Sequence, residues 1–306
     1  MRIPLIRHID WGVRVALDPK LGIAQAASNF VSTKCHQGGV VGFFGVGKPR
    51  SPGYTEAIGT GILLNIAGEV YCITARHVLE PEVQVVGRVG YSFSCGRTGE
   101  RPLRVQDGQI RQALSNHRDD LITFKLAPEQ KNELEVVGQL RPFELSDLGL
   151  RERPATINGG LFIAGFPEAV SFTDEAKRRV DSSLLVYLTA ESEKPCTSYS
   201  GYLSHRDFKV HYQLEGNVGN DGQTVVSPWP QGASGGPLWI YWEEDRSGIR
   251  VPMAKIIGIC RRFEDVDNLI IVTDIKVALE CMAGWWSALE TVFDGLEVDW
   301  RPPEGQ

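Results

Sequence analysis

The sequence predicts an all-β protein, and two observations predict it. From about residue 38 to residue 273, short runs rich in β-branched and aromatic residues alternate with Gly, Pro, Asn and Asp. Within that span few stretches carry helical spacing, so the crossover helices that a parallel α/β sheet needs are missing. The clearest runs are Thr60 to Asn65, Glu69 to Thr74, Leu121 to Leu126, Leu161 to Phe166, Leu184 to Thr189, Phe208 to Leu214, Pro237 to Trp242, Ala254 to Cys260 and Leu269 to Val272. Strands this short and numerous close into barrels or stack as a sandwich.

The polar stretch Arg141 to Asn158, with Pro142 and Pro154, divides the strands into two halves and reads as a linker. The expected organisation is an N-terminal extension over residues 1–35, a first barrel over 36–145, a second over 146–273, and a C-terminal helix and tail over 274–306. The helix follows from apolar positions at helical spacing after Asp274, a natural N-cap. Trp285 and Trp286 are expected to seal it onto a barrel.

Of the 306 residues, 42% are apolar and 23% charged, the balance of an ordinary globular chain. The net charge of −6 with no basic stripe argues against a nucleic-acid partner. The first thirty residues interrupt their apolar runs with Arg2, Arg7, His8 and Asp10, unlike a secretory signal, and no apolar run approaches the roughly 20 residues that span a bilayer. A cytoplasmic protein with no membrane partner is expected. The six cysteines form no CxxC pair and no ligand spacing with the histidines, so no metal is expected. They read as buried thiols, with three disulfides in a secreted form as the alternative.

Chemistry enters at Gln231-Gly232-Ala233-Ser234-Gly235-Gly236-Pro237. A serine nucleophile needs an exposed, tightly turned backbone whose N–H groups face the developing oxyanion, and glycines permit those dihedrals. Gly232 and Ser234 are the expected donors. By itself the turn is equally a structural hairpin. A hydroxyl also needs a base, and among six histidines His77 stands at the end of the run Tyr71 to Ala75, where a strand opens on a cleft. The third member is a buried carboxylate that orients the imidazole. Asp120, opening the run Leu121 to Leu126, is the candidate, and neighbouring Asp119 is its rival.

Gly59-Thr60-Gly61, Thr74-Ala75-Arg76-His77, Asp120-Leu121-Ile122, Gly165-Phe166-Pro167 and Gly232-Ala233-Ser234-Gly235-Gly236-Pro237 together resemble the trypsin-like, chymotrypsin-fold serine peptidases over about residues 38 to 275. The order His, Asp, Ser agrees with that family and differs from α/β-hydrolases and subtilisins. The resemblance implies two packed antiparallel β-barrels and a serine endopeptidase using His77, Asp120 and Ser234, with an oxyanion hole at Gly232 and Ser234. It implies no cofactor, and a protein or peptide as substrate. Secreted members are activated when a new amino terminus pairs with an aspartate just before the serine; here that residue is Ala233, and the cysteine that usually follows the histidine is Val78. The chain is therefore closer in character to bacterial and intracellular members, either formed competent or switched by a regulatory protein partner. A protease-fold module whose chemistry is lapsed or dormant, binding a partner instead, is the alternative.

Substrate preference in this fold is set beside the serine and along the run Gly258 to Phe263. Arg261 or Arg262 facing the cleft would favour acidic side chains; the other reading pairs both with Glu264, Asp265 or Asp267. The run Val226 to Gln231 offers no carboxylate, which speaks against a preference for Lys or Arg.

Overall fold

The structure is a computed structural model and describes residues 19–47, 55–79, 88–94, 103–105, 114–116, 118–136, 141–149, 159–174, 179–197, 201–215, 217–218, 224–286, 289–290 and 292. It opens on a helix, α1 (Pro19–Gln37), followed by β1 (Val40–Gly47), β2 (Thr55–Ile66), β3 (Glu69–Ala75), the single turn α2 (Arg76–Leu79), β4 (Arg88–Ser94), β5 (Leu103–Val105), β6 (Leu114–Asn116), β7 (Leu121–Lys125), α3 (Pro128–Val136) and β8 (Phe143–Glu144). These strands form one sheet in the order β5-β4-β1-β2-β3-β7-β6 with antiparallel pairing, and β8 lies parallel beside β2.

The second half holds β9 (Gly160–Gly165), the hairpin β10 (Ser171–Asp174) and β11 (Arg179–Ser182), β12 (Leu185–Thr189), β13 (Asp207–His211), the hairpin β14 (Asn217–Val218) and β15 (Thr224–Val225), β16 (Pro237–Arg246), β17 (Ile249–Glu264), β18 (Leu269–Asp274) and the helix α4 (Ile275–Trp285). The second sheet is antiparallel, ordered β12-β9-β16-β17-β18-β13. The segment after β12 returns to the far edge, where His211 N–H donates to Ala190 O at 3.0 Å and Ser192 N–H to Lys209 O at 2.8 Å, closing the barrel. The all-β, two-barrel architecture with a C-terminal helix is thus as the sequence predicts.

Strand alternation explains why several strands read as unbroken apolar runs. Neighbouring side chains point to opposite faces, and here both faces are buried. In β16, Leu238, Ile240 and Trp242 fill the second barrel, whereas Trp239 and Tyr241 face a core shared between the two sheets. In β2 and β3, Leu63, Val70 and Cys72 fill the first barrel while Ile62, Leu64, Tyr71 and Ile73 enter that shared core. The shared core is capped from two sides. Helix α1 inserts Ala27, Val31 and Cys35 at four-residue spacing, and α4 inserts Ile275, Ala278, Leu279 and Met282.

Asp274 caps α4 by accepting from Lys276 N–H at 2.9 Å. Trp286, just past its end, packs on Tyr71 of β3 at 5.0 Å between ring centroids, so the C-terminal helix is sealed onto the first sheet as well. Helix α1 runs past the expected boundary at residue 35 and joins the core; residues 1–18 lie outside the described residues. Among the described residues no helix is long and apolar enough to cross a membrane.

Candidate active site

β3 ends at Ala75, and α2 turns the chain so that Val78 and Leu79 are buried in the first barrel while His77 faces outward. Close packing fixes the corner: a Cβ on Gly59 would lie 2.4 Å from Val78 Cγ1, so this approach of β2 to α2 needs glycine. The loop before β7 meets the corner from the other side. Asp120 O accepts from Arg76 N–H at 2.7 Å, Asp120 Oδ1 accepts from His77 N–H at 3.2 Å, and Asp120 Oδ2 lies 2.7 Å from His77 Nδ1. An ionised carboxylate only accepts, so this contact puts the imidazole proton on Nδ1 and leaves Nε2 with a lone pair. Asp120 occupies the left-handed region at φ 49°, an uncommon conformation for a residue with a side chain.

Asp119, the rival carboxylate, is wholly buried and committed elsewhere. Arg206 donates to both its oxygens, Nε to Oδ1 at 2.7 Å and Nη2 to Oδ2 at 2.6 Å, and Asn116 Nδ2 adds a third bond at 2.6 Å. The bonding to Asp119 holds the Arg206 guanidinium above its ordinary pKa, against the opposing pull of burial. A second buried pair, Arg261 with Asp207 at 3.0 Å, lies beside it, and Thr273 Oγ1 bridges Asp119 O and Asp207 Oδ1 at 3.3 Å each. Burial pushes the Asp207 carboxyl above its ordinary pKa, with Arg261 pulling it back down. The Arg118–Asp120 corner is thereby gripped by residues of the second barrel.

Ser234 sits half-buried in the turn before β16, where Gly232 and Gly235 adopt φ of +93° and +85°. A Cβ on Gly235 would fall 2.0 Å from Thr60 O, 2.1 Å from Thr74 Oγ1 and 2.9 Å from Ala75 N, so only glycine lets this turn press against β2 and β3. Thr60 N–H donates to Ser234 O at 2.7 Å. The serine turn is thus docked against the very strand end from which His77 springs. Within the turn Ala233 N–H donates to Pro230 O, Gly235 N–H to Cys260 O and Gly236 N–H to Ala233 O; among the described residues nothing accepts from the N–H of Gly232 or of Ser234.

The expectation for Arg261 needs correcting. The pairing of β17 with β18 shifts register between Cys260 and Arg262, a bulge that turns Arg261 inward. Its side chain is 1% exposed and is bonded to Asp207 and to Gly201 O, so it does not reach a substrate. Arg262 is on the surface with Nε 2.6 Å from Glu264 Oε1, the pairing weighed against a cleft role. Sequence reasoning missed Arg206, which lies 87 positions from Asp119 with no local signal to join them. The cysteines Cys35, Cys72, Cys196, Cys260 and Cys281 are free. Among the described residues no three His, Cys, Asp or Glu side chains group to hold a metal ion. A cavity of ≈ 550 Å³ bounded by Gly160, Tyr187, Thr189 and His211 lies at the end of β9 opposite Gly165, away from Ser234.

No known protein family matches the chain by its family description, and no curated protein matches it. Solved structures do. One was reported with the coupled folding and binding of the intrinsically disordered Sesbania mosaic virus VPg protein; it is 13% identical, with 78% of this chain and 85% of that chain covered and a TM-score of 0.37. Another is the tobacco vein mottling virus protease, 15% identical, covering 78% and 77% of the two chains, also with a TM-score of 0.37.

Proposed function

We propose that this chain is a serine endopeptidase, with Ser234 as nucleophile, His77 as general base and Asp120 as the residue that orients the histidine. One observation carries this reading: the Asp120 carboxylate bonds both the backbone and the Nδ1 of His77, at the strand end against which the Ser234 turn is packed. In the proposed reaction His77 Nε2 removes the Ser234 hydroxyl proton as Oγ attacks a peptide carbonyl. The charge that develops on the carbonyl oxygen is met by the N–H groups of Gly232 and Ser234, neither of which has an acceptor among the described residues. The imidazolium, stabilised by Asp120, then gives its proton to the departing amine. Water, deprotonated by the same nitrogen, cleaves the acyl-enzyme and restores the serine. No cofactor enters these steps.

The substrate is a protein or peptide, and the buried free thiols Cys35, Cys72 and Cys260 fit a cytosolic setting. Burial raises all three, Cys260 to about 12, which leaves them inert as nucleophiles beside Ser234. Reaction with a fluorophosphonate probe tests the assignment. Peptide mapping is expected to locate the adduct on Ser234, and Ser234→Ala is expected to abolish it; no adduct on the folded protein, or an adduct that survives the substitution, would remove the basis for the proposal.

A further inference from the structure

In the turn that carries Ser234, the four carbonyls from Gln231 to Ser234 each have a partner. Gln231 O accepts from Glu168 N–H at 2.8 Å, Gly232 O from Thr60 Oγ1 at 2.7 Å, Ala233 O from Gly236 N–H at 2.9 Å and Ser234 O from Thr60 N–H at 2.7 Å. In a trans peptide the C=O and the following N–H point in opposite directions. Anchoring Gln231 O on Glu168 therefore turns the Gly232 N–H away from it, and anchoring Ala233 O on Gly236 does the same for the Ser234 N–H. Neither of these N–H groups has an acceptor among the described residues.

Thr60 supplies two of those four anchors, and its hydroxyl is itself oriented. Phe166 N–H donates to Thr60 Oγ1 at 2.9 Å, which uses an acceptor site and leaves the single hydroxyl proton for Gly232 O. Its own carbonyl accepts from Thr74 Oγ1 at 2.5 Å, and the residue is 0% exposed. One threonine of β2 thus ties together the first sheet, the turn after β9 and the serine turn. Ala233, buried at 2%, brings no charge to this arrangement, so no ion pair forms at this position.

We infer that Thr60 is a positioning residue: by fixing the Gly232–Ala233 and Ser234–Gly235 peptides on either side of the Ala233–Ser234 peptide, it holds the serine turn in the conformation that presents the Gly232 and Ser234 N–H groups, so that the turn is competent without cleavage of the chain. The inference rests on the serine peptidase reading and extends it to regulation. Thr60→Val keeps shape and volume but removes the hydroxyl, leaving Gly232 O and Phe166 N–H without their partner, whereas Thr60→Ser keeps it. Glu168→Pro removes the companion N–H at the first position of a short 3₁₀ turn, where proline's φ suits the backbone.

The test is the rate of fluorophosphonate adduct formation on Ser234 in the full chain, with thermal melts to confirm folding and with kcat and KM measured on a cleaved peptide. Thr60→Val is expected to react about 10- to 100-fold more slowly, the scale of losing part of an oxyanion hole, with the fall in kcat rather than in KM and with recovery in Thr60→Ser. Glu168→Pro, which frees the Gln231–Gly232 peptide directly, is expected to fall in the same way, and Thr60→Ala, which removes the same hydroxyl, decides the matter if Thr60→Val does not fold. Folded Thr60→Val reacting at the wild-type rate, or Thr60→Ser reacting as slowly as Thr60→Val, overturns the inference and leaves the peptidase reading standing. A wild-type chain that forms no adduct overturns both.

Discussion

Asp119 and Asp120 are adjacent in the chain and opposite in circumstance. Asp119 is wholly buried, holds Arg206 through two bonds and faces the second barrel; Asp120 is partly exposed, sits in a left-handed conformation and holds His77. One carboxylate joins the two barrels, and the other orients the exposed side chain of His77. The difference teaches that an uncommon backbone conformation can stand directly beside a firm anchor: Asp119 is held by Arg206 and Asn116, and the next residue keeps φ 49°. It also separates two kinds of loss, of activity and of structure.

The largest expected effect lies on the exposed side. Asp120→Ala is expected to lower kcat by about 10⁴-fold, the scale on which an imidazole loses its tautomer and its charge partner, while urea midpoints move little because the group is partly solvated. An equal loss of stability and activity would mean that Asp120 is a structural residue like its neighbour. Next comes Arg206→Met, which leaves Asp119 as a buried carboxylate without its cation. A loss of about 3 kcal/mol in urea unfolding is expected, as for other buried pairs broken on one side, with activity per folded molecule falling far less than for Asp120→Ala. Stability unchanged in this variant would show that the bidentate pair does not hold the barrels.

The smallest effect concerns the thiols. Burial raises Cys260 to about 12 and also raises Cys281, which touches Asp119, so both stay protonated near pH 8. Brief treatment with iodoacetamide at that pH is expected to alkylate Cys196 before Cys260 or Cys281, as read by mass spectrometry, and to leave activity intact. Rapid alkylation of Cys281 accompanied by inactivation would instead make the Asp119 cluster a sensitive point of the fold.

Much of this was legible before the structure, for reasons that differ from element to element. The run Glu69 to Thr74 and the helix after Asp274 are local: β-branched residues make the strand, and an aspartate caps the helix. The serine turn was legible because Gly232, Gly235 and Gly236 are imposed by close backbone contacts and positive φ. Helix α1 was not, since Gly22, Asn29 and Thr33 weaken its propensity and only a narrow stripe of Ala27, Val31 and Cys35 meets the core. The inward turn of Arg261 depends on a bulge that no local pattern announces. The choice between Asp119 and Asp120 was set by Arg206, far along the chain.

Digestion of a peptide library by the purified full chain, followed by mass spectrometry, measures the central claim directly. Wild type alone is expected to cut at a defined set of sites, and Ser234→Ala to cut at none of them. Absence of cleavage by the folded wild-type chain, or the same cleavage by Ser234→Ala, would contradict a serine peptidase built on His77, Asp120 and Ser234.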